Sequence, residues 1–441
     1  MRERKPYNKK NFSWLGLFFF IISLIAIIGM IVMVMMVSWP ALANKTDSLS
    51  YRAGGYYKRM FPPPQYLPTP APIMVNQPQS LPEKKLELTV VMHDSIPTAT
   101  FTPKPTATPR PTSWPSSTSS PTTTPTMLTT PTVTPRQVQL TKLTHQYQTW
   151  NNCGPATITM NMTQFGYTNS QAEAATFLKP NRDDKNVSPQ ELMAYARQHG
   201  LQAIVRQGGS LETLKALLNN DLPVLVEFWF THDGDEMGHY RLITGYDDTT
   251  QQLIVLDSYN GPNIRVDYDT FEAEWRVFNY LYGVIYLSEQ VDIVAEIIGA
   301  DMDDTHMYER LVGLADDDLA LNPDDRIAYF NKGDALTRLG RFDEAAAAFD
   351  EARHRQLHWR RLWYQFTPFE AYYQVERYQD VIDLSQATLN SANGLEEGYY
   401  YLGLALHATG QLGAAENFRA ALTYNANFSL ASDALAALEA E

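Results

Sequence analysis

One cysteine occurs in 441 residues, inside the stretch YQTWNNCGPATITM that runs from Tyr147 to Met160. Two asparagines precede it and Gly-Pro follows, whereas a structural cysteine normally sits in an apolar run. Gly154 and Pro155 read as the opening of a helix, because proline loses nothing by lacking an N–H in a first turn. Cys153 then stands at that helix's N-terminus, where unpaired amides and the dipole favour a thiolate. A thiolate nucleophile also needs a base to move protons and donors for the developing oxyanion. No second cysteine exists, so no intrachain disulfide competes for the thiol.

Candidate bases are few. His145 lies in a polar approach segment, His199 ends a helix beside Gly200, and His232 falls in the loop-like stretch THDGDEMG. His239 begins a strand directly after Gly238, in GHYRLITGYDD, where a helix-tip cysteine can reach it. A short hairpin leads from that strand into QLIVLD, which brings Asp257 beside His239 as an orienting acceptor. His145, His199 and His232 are read as structural. Turnover is expected to depend on a near-neutral group supplied by His239. Asp233, Asp235 and Glu236 lack full calcium-loop spacing and read as a flexible cleft rim.

These residues need elements to carry them. Helical patterns cover 154–165, 169–178, 189–199 and 211–219. Strand-like alternation follows at 223–230, 239–246, 252–259 and 279–287, interrupted by a helical turn at 270–275. Helices first and antiparallel strands second make an α+β domain, bounded at 137–290. The aromatics of EFWF (227–230) and EAEWRVFNYLY (272–282) follow the strand alternation and read as core.

Residues 291–441 are helical throughout. AYFNKGDALTRLGRFDEAAAAFDEA places Tyr329, Gly333, Leu336, Gly340, Phe342, Ala345, Phe349 and Ala352 at paired-helix spacings. YYLGLALHATGQLGAAENFRAAL repeats the pattern with Gly403 and Gly410, and residues 372–389 supply a degenerate copy between them. The helix ending in DLALNPDD is closed by Pro323. The spacing resembles the tetratricopeptide-repeat family over about residues 302–440, which implies an all-α solenoid that binds a protein partner. This region carries 26 Asp and Glu against 11 Lys and Arg, while the whole chain is at −14. So acidic a module argues against nucleic acid. Asp316 to Asp318 and Asp324–Asp325 read as a solvated face.

The N-terminal third has a different character. Residues 1–13 are basic, and 14–37 form an uncharged apolar run long enough, at about 1.5 Å per residue, to cross a bilayer. The basic flank keeps the N-terminus cytoplasmic and exports the remainder. Ala41 to Ala43 would suit signal-peptide cleavage, but the run is longer than secretory apolar cores. Residues 38–136, with eighteen of the 27 prolines between Pro62 and Pro135, read as a disordered Thr/Pro/Ser stalk.

Taken together, YQTWNNCGPATITMNM, GHYRLITGYDD and LIVLDSYNG resemble the three blocks of the bacteriocin-processing (double-glycine) peptidases and their stand-alone relatives, over about residues 140–290. The resemblance implies a papain-like cysteine peptidase without cofactor or metal. Cys153 would be its nucleophile, His239 its base and acid, and Asp257 its orienting residue. Gln148 would donate to the oxyanion beside the Cys153 N–H, with Gln146 as the rival. Relatives often carry proline after the aspartate, where Ser258 stands here. No nucleotide-binding motif is visible, so leader specificity is not carried over. The expected protein is a single-pass, membrane-anchored extracytoplasmic thiol peptidase acting on a peptide or protein. The alternatives are another thiol acyl-transfer enzyme (a cell-wall amidase or transglutaminase) and a non-catalytic binding scaffold.

Overall fold

The computed structural model describes residues 66–70, 135–232 and 235–440. All of these fall in one compact unit, Pro64–Glu441. The apolar run 14–37 and most of the stalk lie outside the described residues. Among the described residues no helix is long and apolar enough to cross a membrane.

In chain order the first half runs β1 (Gln137–Gln139), α1 (Cys153–Met162), α2 (Gln171–Leu178), α3 (Pro189–Gln198), β2 (Gln202–Arg206), α4 (Leu211–Leu218), β3 (Val224–His232), β4 (Asp235–Asp247), β5 (Gln252–Asp257), β6 (Gly261–Asp267), α5 (Tyr268–Arg276), β7 (Tyr282–Tyr286) and α6 (Val291–Ile298). Local chemistry starts the helices. Ser170 with Glu173 and Ser188 with Glu191 form reciprocal capping boxes, and Pro189 occupies the first turn of α3. Ser210 accepts from the Thr213 amide at the head of α4.

The sheet has the order β2-β7-β3-β4-β5-β6, every pairing antiparallel, with β1 joined to β4. Successive residues face opposite sides. Leu225 and Leu242 therefore pack with Ile158 and Leu192 of α1 and α3, while Val224, Val226 and Ile243 pack with Leu214 of α4 and Phe271 of α5. The expected α+β domain is present. Phe228 of β3 is a core residue, as its alternation suggested; Trp275 and Phe278 are core too, but from α5 and the turn after it and not from a strand. β2 and β6 were not anticipated. Val294 and Ile298 of α6 enter the sheet's own core.

That region contains α7 (Asp304–Leu321), α8 (Arg326–Arg338), α9 (Phe342–His354), α10 (Thr367–Gln374), α11 (Tyr378–Ser391), α12 (Glu396–Ala408), α13 (Ala414–Tyr424) and α14 (Ser429–Glu439). Each packs on its sequence neighbour, and α8 and α12 also touch α10. α7 ends at Leu321, just before Pro323. Small residues allow the close approaches. A Cβ at Gly333 would lie 2.6 Å from the Phe349 ring, and one at Gly403 would lie 2.6 Å from Phe418.

Three expectations are corrected here. The stalk is not free throughout, because Leu67 is buried in the helical core and its amide donates to the Leu357 carbonyl at 3.1 Å. Arg353 Nε also donates to the Pro68 carbonyl at 2.8 Å. The acidic run is not simply solvated: Asp318 and Asp325 each hold Arg276 of α5 at 2.8 Å and join the two halves. Nor are Asp235 and Glu236 a flexible rim. They start β4, where Asp235 pairs with Arg360 at 2.8 Å and Glu236 accepts from Trp229 Nε1 at 2.9 Å. Asp233 lies outside the described residues.

Filling a glycine contact in the helical core should overpack it. Gly403→Val is expected to cost about 1–3 kcal/mol in urea unfolding, as inserted core methyls do. An unchanged unfolding midpoint would show that the α12–α13 approach is not tight.

Candidate active site

Cys153 is the first residue of α1, as the Gly-Pro sequence suggested. The chain reaches it through a loop pinned from two sides. Gln171 at the head of α2 donates to the Tyr147 carbonyl at 2.7 Å, and its Oε1 accepts from the Thr149 amide at 2.8 Å and Asn152 Nδ2 at 2.9 Å. Lys179 Nζ donates to the Asn151 carbonyl at 2.5 Å, where Asn151 adopts a left-handed φ of 51°. α1 can lie close to α3 because residue 154 has no side chain, since a Cβ there would already be 3.3 Å from Leu192.

His239 lies on β4 opposite Phe228 of β3, and two residues further on Arg241 faces Asp257 of β5. Residues two apart share a face of the strand, so both side chains reach the same carboxylate. His239 Nε2 is 3.0 Å from Asp257 Oδ1, and Arg241 Nε donates to Oδ2 at 2.8 Å. The turn after β5 adds the Tyr259 and Asn260 amides at 2.8 and 3.0 Å, with Asn260 Nδ2 at 3.1 Å. Asp257 has no exposed surface. Burial alone would raise it, but the His239 and Arg241 interactions hold its carboxyl far below the usual carboxylate range.

With Nε2 on Asp257, the ring's other nitrogen is left free of that carboxylate, and the imidazole and the Cys153 thiol act on each other's charge. Burial would lower the imidazole, yet Asp257 and then Cys153 raise it to about 9. The near-neutral titration expected from sequence is thus displaced upward. Burial pushes the Cys153 thiol up, but the His239 hydrogen bond and charge, the Tyr240 backbone and Lys179 bring it below its ordinary value. The favoured state is a thiolate–imidazolium pair.

The two glutamines differ in what remains of their amides. Gln146 uses both ends, donating to the Asn169 carbonyl at 3.2 Å and accepting from the Gln171 amide at 3.1 Å. Gln148 accepts from Ser258 Oγ at 2.8 Å through Oε1, which leaves its Nε2 as a donor. The Gln148 amide also donates to the Ser258 carbonyl at 2.8 Å. Ser258 therefore stitches the cysteine loop to the aspartate strand, more than the altered turn expected from sequence.

The other three histidines considered from sequence make different contacts. His145 is 2.9 Å from the Asp257 carbonyl, not its carboxylate. His199 caps α3 with Nδ1 at 2.8 Å from the Tyr195 carbonyl. His232 ends β3 instead of lying in a loop, and its side chain is outside the described residues.

A narrow cleft of about 20 Å³ opens at Cys153 and is walled by Lys179, Glu227, Tyr240 and, from the helical region, Tyr364. Glu227 is buried, and desolvation followed by the Cys153 charge pushes it well above the carboxylate range against Arg361. Among the described residues no cluster of His, Cys, Asp and Glu could hold a metal. Arg241, Gln171, Ser258 and Tyr364 were not anticipated. Only Arg241 had a sequence signal, at two residues from His239 on one strand.

Residues 133–282 match the model described as the Peptidase_C39 like family. No curated protein matches the chain. Among solved structures it is similar to a C39-like peptidase from Bacillus anthracis, with 15% identity and a TM-score of 0.28 over 34% of this chain and 96% of that one. It is similar to the double glycine motif protease of an AMS/PCAT transporter, solved with its leader peptide, at 15% identity and 0.27 over 34% and 95%. It is also similar to MamA, at 15% identity and 0.26 over 29% and 74%. At TM-scores this low, the weight falls on the site's own geometry. Residues 133–282, with their helix-tip cysteine and strand-borne histidine and aspartate, form a C39-like peptidase domain.

Proposed function

We propose that the chain is a thiol peptidase that cleaves peptide bonds through an acyl-enzyme on Cys153. The observation that carries this is the pairing of His239 with Asp257 at 3.0 Å, in a buried imidazole whose charge lowers the pKa of the helix-tip thiol. Cys153 Sγ attacks the scissile carbonyl carbon, and the tetrahedral oxyanion is met by the Cys153 N–H and Gln148 Nε2. His239 gives its proton to the leaving amine as the C–N bond breaks and a thioester forms. Water then loses a proton to His239 and attacks the thioester, releasing the carboxylic acid and restoring the pair. Asp257 fixes the ring's direction and stays ionised throughout. None of these steps calls for a metal or organic cofactor.

The wider setting is part of the same proposal. Residues 14–37 anchor the protein with its N-terminus in the cytoplasm, supported by the apolar run and its basic flank. The helical region is of tetratricopeptide type and binds a protein, supported by the glycine and phenylalanine packing at Gly333 and Gly403.

Cys153→Ala and His239→Ala should abolish turnover on a peptide the parent cuts, while Gln148→Ala should lose about 10²–10³ in kcat. Asp257→Asn should be damaged strongly but incompletely. His145→Ala and His199→Ala should stay near the parent, and loss of activity on Gln146→Ala alone would move the oxyanion donor two residues upstream. Parent-level turnover by Cys153→Ala overturns the assignment.

A pH profile gives a second check. The active form requires both thiolate and imidazolium, so kcat/KM should rise as pH climbs through the depressed thiol value. It should fall as pH climbs through about 9, where His239 loses its proton. A profile that keeps rising through pH 9 (about the His239 value) would contradict the ion pair.

A further inference from the structure

Beside the cysteine cleft, a second cavity of about 350 Å³ lies between α3 and the helical region. Asn186, Glu227 and Tyr364 line both, so one extended chain could occupy the two together. Its walls carry Glu191 from the peptidase half and Glu370, Glu396 and Glu397 from the helical half.

The acceptors in this cavity outnumber the donors that reach them. A single amide, Asn425 Nδ2, serves Glu191 Oε1 at 3.0 Å and Glu396 Oε1 at 2.8 Å. Glu396 is 1% exposed, yet its Oε2 has no partner. Glu397 takes Asn186 Nδ2 at 3.3 Å on one oxygen, and its Oε2 is likewise unpartnered. Gln207 donates to Asp334 at 3.1 Å, which fixes its Oε1 as a further acceptor without a donor. Buried oxygens left without a donor lose the hydration they would have in water and gain nothing in return. Among the described residues no cation pairs with Glu191, Glu396 or Glu397. Arg206 is taken by Asp304 at 2.9 Å. Two donors on the wall are unpartnered, Arg206 Nε and Arg338 Nε, against the four unpartnered acceptors of Glu396, Glu397, Gln207 and Gln365, and Arg338 already acts on Asp334, Glu370 and two tyrosines.

We infer that this cavity receives a basic side chain, arginine or lysine, of the peptide whose backbone passes to Cys153. That the cation belongs to a substrate rests on the peptidase reading, whereas its binding requires only the cavity. A metal ion does not fit, because no group of carboxylates among the described residues converges closely enough. An ammonium or guanidinium spans separated oxygens and supplies N–H donors in the number they lack. Burial, then mutual repulsion with Glu191, raises Glu396 to about 7 and drives Glu397 well above the carboxylate range, as expected of acids that have lost their counter-charge.

The test uses the full chain carrying Cys153→Ala and two acetylated, amidated pentapeptides. One has arginine flanked by glycines, and the other has citrulline, which is nearly isosteric but uncharged. Calorimetry should show the arginine peptide binding at least about tenfold tighter. Adding Glu396→Gln and Glu397→Gln should remove the difference. Equal affinities, no binding of either peptide, or a preference that survives both glutamines would overturn the inference. Turnover by the parent separates it from the peptidase reading. If both peptides are cut equally, the cation site fails and the peptidase stands. If the arginine peptide binds selectively but neither is cut, the cation site stands and the peptidase fails.

Discussion

The site depends on keeping one buried carboxylate ionised. Asp257 has no exposed surface, so its charge would be costly without compensation. Five hydrogen bonds, from His239, Arg241, Asn260 and two turn amides, replace the water it has lost. Those donors come from β4 and the turn after β5, while Asp257 itself ends β5, so the antiparallel register of β4 and β5 is also the geometry of the site. Arg241 is held in turn, with its guanidinium 3.7 Å over the Phe228 ring and 3.2 Å from Glu274. An ionised Asp257 raises His239, and the raised imidazolium then lowers the thiol of Cys153. Polarity passes from strand to helix tip through one ring.

The helical region contributes to the site as well as adjoining it. Tyr364 forms a wall of the cysteine cleft, Trp229 packs against His358 at 5.6 Å, and Arg276 bridges to Asp318 and Asp325. Residue 394 has no side chain to accommodate, and its carbonyl accepts from the Lys185 amide at 2.7 Å. A substrate entering from this side meets both halves of the unit at once. The helical region thus adjoins the cleft, while Cys153, His239 and Asp257 all lie in the first half.

Much of this was legible in the chain, for reasons that differ by residue. Cys153 could be placed at a helix tip because proline after a glycine marks a first turn locally. His239 and Asp257 could be paired because a short hairpin separates two clear alternations. Arg241, Ser258 and Gln171 could not be assigned, since their roles depend on register and on loops meeting across long sequence distances. β6 was missed because it is an edge strand whose apolar residues are only Ile264 and Val266, and β2 because five residues between a helix and glycines carry little periodicity. The docked segment at Leu67 lay inside a proline-rich tract whose composition speaks for disorder. Asp318 and Asp325 looked like surface charge because an ion pair across halves leaves no local pattern.

The central claim is a covalent one, that the thiol of Cys153 accepts the acyl group. It is tested by acid-quenching the full chain during hydrolysis of a peptide ester, whose fast acylation lets the intermediate accumulate, and measuring its intact and peptide masses. The account predicts an added mass equal to the peptidyl group, held as a hydroxylamine-sensitive thioester on Cys153. An acyl group mapped to any other residue, or hydrolysis that proceeds undiminished once the thiol is removed, would contradict it.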